Sequence, residues 1–171
     1  MKKFLLVFLL VILFMFSYLY LSYPNFDEIK VGLKNKYKDF SKGVDSDKLT
    51  YKRDVLFENE IGLTFPQDKV ESAKVFGDFY SLPKKLNHQE ISFLVKKFND
   101  SSAFRWGETG TFTHYKTIVF YNDKNEIIGI TEVDEDLGQT YSIPMIKKMK
   151  WGYLVLSDEN DSKYFRNIVN Y

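Results

Sequence analysis

The chain begins with a long apolar segment unlike anything that follows it. Residues 4–21 contain no charged side chain, Lys2 and Lys3 stand directly before them, and the next charge is Asp27. A helix of about 18 residues reaches about 27 Å, close to the thickness of the hydrocarbon layer of a bilayer. Its apolar side chains occupy every face, whereas a helix packed on a soluble core has a polar side. The pattern predicts a signal anchor and transmembrane helix over residues 1–23, with residues 4–21 in contact with the lipid bilayer.

The residues that flank this segment predict its orientation. Lys2 and Lys3 favour the cytoplasmic side, so the N-terminus would lie inside the cytoplasmic (inner) membrane and the rest of the chain outside. Tyr18, Tyr20 and Tyr23 would then meet the outer headgroups. A cleaved secretory signal shares the basic start and the apolar middle. No A-x-A-like site follows here, so we expect an uncleaved anchor, with secretion after cleavage as the alternative.

A helical period begins directly after the anchor. Asn25 followed by Glu28 predicts a capped helix start, and Gly43 can end the helix. The apolar residues that recur at helical spacing on one face are Phe26, Ile29, Leu33, Tyr37 and Phe40. This stripe fits a first domain helix packed on a sheet, which we favour, or a helix lying on the membrane surface.

The next part of the chain changes to a period of two, which is typical of strands. Residues 49–57 and 61–65 predict two strands around a short turn. Residues 70–80 predict a further extended segment, with Gly77 as a bulge or a point of close approach. Residues 151–156 predict a last short strand.

The clearest strand pattern is a hairpin. Residues 111–121 and 126–133 are rich in β-branched and aromatic side chains, and Asn122-Asp123-Lys124-Asn125 separates them. In the middle of each strand, the odd-numbered and the even-numbered positions are both apolar, so apolar side chains point to both faces of the sheet. We therefore expect this hairpin at the centre of a sheet that is covered on both faces.

Two more helices are predicted. Asn87 with Glu90 forms a capping box before an apolar stripe, and Ser157 is the predicted cap of a final helix with an apolar inward face. Residues 142–151 mix lysines with large apolar groups and predict a helical turn or, alternatively, a contact with anionic headgroups. Together these elements predict an α+β fold, in which the N-terminal transmembrane helix precedes one mainly antiparallel sheet domain with about three helices over residues 24–171.

Composition narrows the class of protein. Outside the N-terminal segment the chain has 22 of its 24 basic residues and all 23 acidic ones, which gives this part a net charge of −1. This balance gives no reason to expect nucleic acid as a partner. The chain has no cysteine, so disulfides and thiol catalysis are excluded.

The usual catalytic and metal-binding patterns do not fit this chain. His88 and His114 lack the spacing of a zinc site, and we predict no metal and no cofactor. Asp134-Glu135-Asp136 lacks the spaced ligands of a calcium loop and predicts a solvated turn. The acidic residues Asp158, Glu159 and Asp161 fall in the first turn of the predicted last helix, where they complement its dipole.

One loop gathers residue types that are frequent in binding sites. Arg105 and Trp106 precede a glycine-rich segment that contains Glu108, and His114 follows it. Loops at strand ends commonly carry binding residues, and Arg and Trp are favoured anchors. These four residues are the predicted ligand-binding set, although a Trp that caps the core and a solvated Arg would explain the same pattern.

The sequence predicts an extracytoplasmic, membrane-anchored module that binds a partner protein or a small ligand and does no chemistry. One alternative is an exported hydrolase that uses His114 with a carboxylate such as Glu108 or Glu132, which must lie within about 3 Å or one water of each other. Another is a membrane-anchored immunity-type protein that neutralises a toxin.

Overall fold

The computed structural model describes residues 2–37, 64–77, 81–105, 115–134, 139–144, 146, 149 and 153–170. Their elements, in chain order, are α1 (Lys2–Ser22), α2 (Phe26–Lys36), β1 (Ser72–Phe76), β2 (Lys84–Lys85), α3 (His88–Phe98), a 3-10 turn (Ser101–Ala103), β3 (Phe104–Arg105), β4 (Tyr115–Tyr121), β5 (Ile127–Asp134), β6 (Thr140–Ile143), β7 (Tyr153–Leu154) and α4 (Glu159–Val169). Five strands form one antiparallel sheet of order β2-β1-β4-β5-β6, and β3 pairs with β7. The predicted α+β class is confirmed.

The predicted hairpin forms the centre of the sheet. β4 and β5 pair from Tyr115 opposite Asp134 to Tyr121 opposite Ile127, with an irregularity next to Tyr121. The Asn122 carboxamide oxygen accepts hydrogen bonds from the backbone N–H groups of Lys124 and Glu126, at 3.0 and 2.8 Å. Such a side-chain bond makes asparagine a strong turn former. The turn therefore lies where the sequence predicts it.

One face of the sheet carries the larger apolar core. Phe65, Phe98 and Phe120 meet there edge to face, with ring centroids 5.4 to 6.3 Å apart. Helices α3 and α4 and the β3-β7 pair contribute further buried side chains to the same cluster, among them Leu94, Phe104, Leu154, Phe165 and Ile168. Edge-to-face contacts add to the stabilisation that area burial gives.

The opposite face is covered by α2. Leu33 and Tyr37 are buried there against β-strand side chains that include Val119, Ile130 and Ile143. The apolar stripe of α2 thus packs on the sheet, as we favoured over a helix lying on the membrane surface. Because both faces are covered, the apolar side chains on both parities of the central hairpin are buried, as predicted.

Helix starts follow the sequence closely. At α3 the Asn87 N–H donates to Glu90 Oε2 at 2.8 Å and the Glu90 N–H donates to Asn87 Oδ1 at 3.0 Å, which confirms the capping box. The predicted cap of α4 was one residue early. Asp158, not Ser157, caps this helix, and its Oδ1 accepts from the Asp161 N–H at 3.0 Å.

Two other predictions need correction. Thr140–Ile143 forms the edge strand β6 on β5, so the start of the 142–151 segment is extended and not helical. Asp134 does not belong to a solvated turn. It is the last residue of β5, is fully buried, and donates its backbone N–H to Gln139 O at 2.8 Å.

Some predictions fall outside the described residues. These include the strand at 49–57, nearly all of the strand at 61–65, and the end of the first domain helix beyond Tyr37. Residues 111–114 of the predicted hairpin and most of the segment 145–152 also lie outside the described residues. Within the part of the chain that the structure describes, no helix combines the length and the apolar character needed to cross a membrane. The transmembrane helix therefore stays a prediction.

Candidate functional site

The structure describes one of the four predicted ligand-binding residues. Arg105 is exposed at the end of β3, where it pairs with Tyr153 of β7. Trp106, Glu108 and His114 lie outside the described residues. The convergence of these groups in one site therefore remains a prediction. His88, by contrast, is exposed in the first turn of α3, as an ordinary surface residue would be.

Glu132, a candidate carboxylate for the hydrolase alternative, is held by a cation. It lies on β5 beneath α2, and its Oε1 is 2.5 Å from Lys30 Nζ, with 13% and 21% of the two side chains exposed. Burial by itself lowers the pKa of Lys30, but the hydrogen bond and the charge of Glu132, together with Asp27, raise it above its ordinary value of 10.5. The pair ties α2 to the central hairpin.

Helix α1 leaves its apolar side chains uncovered in the described structure. Exposure ranges from 52% at Val11 to 80% at Phe4. The large apolar or aromatic side chains of α1 that are exposed are Phe4, Leu5, Leu6, Val7, Phe8, Leu9, Leu10, Val11, Leu13, Phe14, Met15, Phe16, Tyr18 and Tyr20. Apolar exposure of this extent and continuity marks a surface that meets lipid or a partner.

The junction between α1 and the domain is short and packed. Only Tyr23, Pro24 and Asn25 separate α1 from α2. The Tyr23 ring lies edge to face with Phe26 and Phe76, at centroid distances of 5.8 and 5.6 Å, and Phe26 and Phe76 are 5.5 Å apart. The Tyr23 hydroxyl donates a short hydrogen bond to the Gly77 carbonyl. The chain is therefore fixed to the sheet one residue after α1 ends.

Gly77 is a point of close approach, as predicted. A Cβ at this position would lie 3.0 Å from Ser81 Oγ and 3.1 Å from Lys116 Nζ. Ser81 and Lys116 therefore lie close to the backbone of Gly77, whose carbonyl accepts the hydrogen bond from Tyr23. The neighbouring Leu82 and Tyr115 are 66% and 48% exposed. We call this end of the sheet, which comprises Gly77, Ser81, Leu82, Tyr115 and Lys116, the junction end.

Sequence reasoning missed the junction end. Leu82 stands alone between Ser81 and Pro83, and an isolated leucine gives no periodicity by which an exposed position differs from a core position. Tyr115 belongs to the first strand of the predicted hairpin, and nothing in the local pattern marks it as exposed. The predicted contact of Tyr23 with headgroups stays a prediction, and the sequence did not indicate that its half-buried ring also packs on Phe26 and Phe76.

No protein-family model, curated protein or solved structure matches the chain significantly. Among the described residues, no group of three or more histidine, aspartate or glutamate side chains is placed to hold a metal ion. The candidate site consists of α1, the packed junction around Tyr23 and the junction end.

Proposed function

We propose that the chain is a single-pass membrane protein with its N-terminus inside and its α+β domain outside the cytoplasmic membrane. In this proposal the domain binds a partner protein or a ligand and does no chemistry. The observation that carries the proposal is α1, a 21-residue helix with exposed apolar side chains, followed directly by a packed domain.

The amino-acid sequence extends this support beyond the described side chains. The uncharged run 4–21 includes positions 19 and 21, which lie outside them. A helix satisfies its own backbone hydrogen bonds, so such a run can cross lipid. The two lysines before it supply the cytoplasmic charge that sets orientation.

Two features favour binding over the hydrolase alternative. Glu132 is paired with Lys30, so its carboxylate is already engaged beneath α2. Arg105 is exposed at a strand end, at the start of the loop in which the sequence predicts ligand contacts. Since elements cover both faces of the sheet, a partner of the domain would bind at loops, ends and edges.

The orientation can be tested with a single cysteine in the otherwise cysteine-free chain. Lys124→Cys lies in the exposed turn of the hairpin. We expect a membrane-impermeant maleimide to label it in sealed cells that express the full chain. Labelling only after lysis would overturn the proposed orientation.

Membrane insertion can be tested by placing charges in α1. Leu10→Arg with Leu13→Arg costs roughly 3 kcal/mol per residue near the middle of a spanning helix, so the protein should leave the carbonate-resistant membrane fraction. The control, Leu10→Ile with Leu13→Ile, should remain there. Retention of the double arginine variant would contradict the anchor.

The binding part of the proposal is tested at its exposed arginine and the next residue. Arg105→Ala with Trp106→Ala should abolish crosslinking to the partner in intact cells and leave the thermal midpoint nearly unchanged. The control is Arg166→Ala, an exposed arginine on α4. Unchanged crosslinking by the double variant would remove this loop from the proposal.

A further inference from the structure

We propose that the junction end rests on the bilayer, with the Leu82 and Tyr115 side chains in the headgroup layer. This inference rests on the proposed membrane anchor and deepens it, because it gives the domain a fixed orientation on the membrane. Its ligand is the lipid headgroup layer of the membrane in which α1 would lie.

The first step is the distance between the bilayer and the sheet. Consecutive Cα atoms are about 3.8 Å apart, and Tyr23, the first residue after α1, already contacts Phe76 and Gly77. A bilayer that surrounds α1 therefore ends within a few ångströms of the end of β1. The packed Tyr23 ring leaves no flexible tether that could hold the domain away from the surface.

The second step is the strand register. Val75 pairs with Lys84, so Leu82 continues that register opposite Gly77. Phe76 pairs with Thr117, which places Tyr115 two residues beyond Phe76 at the same end of the sheet. With a rise of about 3.3 Å per strand residue, both side chains lie at or beyond the level of Gly77.

The third step is the chemistry of these side chains. Tyrosine prefers the interface between lipid and water because its ring is apolar and its hydroxyl is polar. Leu82 is apolar and 66% exposed, and the Lys116 ammonium lies beside Gly77, where it can face lipid phosphates. Continuity with α1 favours lipid over a protein partner, because the headgroups already occupy the space next to this end.

Depth measurements on the full-length chain test the inference. Single cysteines at Leu82 and Tyr115 carry a fluorescent label, and the protein is placed in phosphatidylcholine vesicles with nitroxide quenchers at headgroup depth or within the acyl chains. Lys124→Cys, in the hairpin turn beyond the far end of β4, is the distant control. Phe14→Cys, in α1, reports insertion itself.

We expect headgroup quenching of the Leu82 and Tyr115 labels to exceed that of the Lys124 label at least threefold, and acyl-chain quenching to be strongest at Phe14. Ser81→Cys serves as a second probe of the junction end if a variant loses its circular dichroism signature.

The inference would be overturned, and the anchor left intact, if the Leu82 and Tyr115 labels were quenched as weakly as the Lys124 label while the Phe14 label was quenched. An unquenched Phe14 label would overturn both. Labels shielded from aqueous iodide but out of reach of lipid quenchers would indicate a protein contact and also overturn the inference.

Discussion

The two N-terminal helices lie three residues apart and bury their side chains in opposite ways. α1 keeps apolar side chains exposed around its circumference, whereas α2 buries one stripe on the sheet and shows charged and polar residues on its other side. Leu33 of α2 is 4% exposed, and Leu10 of α1 is 57% exposed. The same residue type thus contributes to a domain core in one helix and to an uncovered surface in the other.

This difference follows from the placement of polar residues. α2 carries charged residues between its apolar positions. It is therefore most stable when its apolar face packs on β5 and β6 and its charged face stays in water. α1 has no polar face between residues 4 and 21, so packing one side of it would leave the other sides in water. The comparison predicts that α2 determines domain stability and that α1 determines membrane association.

The largest expected effect comes from the buried stripe of α2. Leu33→Ala should lower the free energy of unfolding by about 3 kcal/mol, because it leaves a cavity between α2 and the sheet. Chemical denaturation of the full chain in detergent micelles measures this change, and membrane association should not alter. Val31→Ala on the exposed side of α2 is the matched control and should change stability by less than about 0.5 kcal/mol. Equal losses in the free energy of unfolding for the two substitutions would contradict the packing of α2 on the sheet.

The next effect depends on pH and arises at the end of α2. The pKa of Tyr37 is raised from 10.0 to about 12. Burial is the largest cause, followed by the charge of Asp68 and by a hydrogen bond of 3.2 Å from the Tyr37 hydroxyl to Asp68. The folded state holds this proton more tightly, so the stabilisation is complete below pH 10 and is lost as the pH rises to about 12. Denaturation curves at successive pH values should show a loss of at most about 2 kcal/mol from this residue, because its partner Asp68 is half exposed and solvent screens the pair.

Tyr37→Phe should remove that part of the alkaline decline. Asp68→Asn should reduce it without abolishing it, because burial is the larger cause of the raised pKa. A wild-type pH profile in Tyr37→Phe would show that the alkaline decline has another origin, such as the raised pKa of Lys30.

The smallest expected effect lies at the boundary between the two helices. Asn25 caps α2 through a long contact, 3.4 Å from Oδ1 to the Glu28 nitrogen, so Asn25→Ala should cost only about 0.5 kcal/mol. Asn87→Ala should cost about 1–2 kcal/mol, because it removes the complete capping box of α3. Unfolding of both variants by denaturant provides the comparison. A larger loss for Asn25→Ala would mean that the start of α2 depends on its cap more than on its stripe.

The sequence predicted the elements whose local pattern agrees with their final environment. The capping box at Asn87, the turn after Asn122 and the stripe of α2 rely on neighbours within a few residues, and each was found. Strand β6 was missed because it is four residues long and gains its stability from pairing with β5. Asp134 was misplaced because its burial depends on elements distant in sequence.

For the candidate site, local sequence indicated the apolar helix and the exposed Arg105, but it did not indicate the junction end. The junction end exists because the register of β1 with β2 and β4 brings Leu82 and Tyr115 beside Gly77. Tyr23 joins them through ring contacts with Phe76, which is 53 positions further along the chain. Contacts over such separations leave no periodic trace in the sequence.

By itself, the sequence of this protein determined its α+β class, an apolar first helix unlike the amphipathic second one, and the central hairpin. These features arise from side-chain periodicity and from capping, which act over one or two turns of chain. The tertiary structure alone decided that Lys30 pairs with Glu132, that Asp134 is buried, and that Tyr23 fixes α1 to one end of the sheet. Those outcomes depend on contacts between strands and helices that are distant in the sequence. These contacts decide which side chains are buried and which are exposed to water.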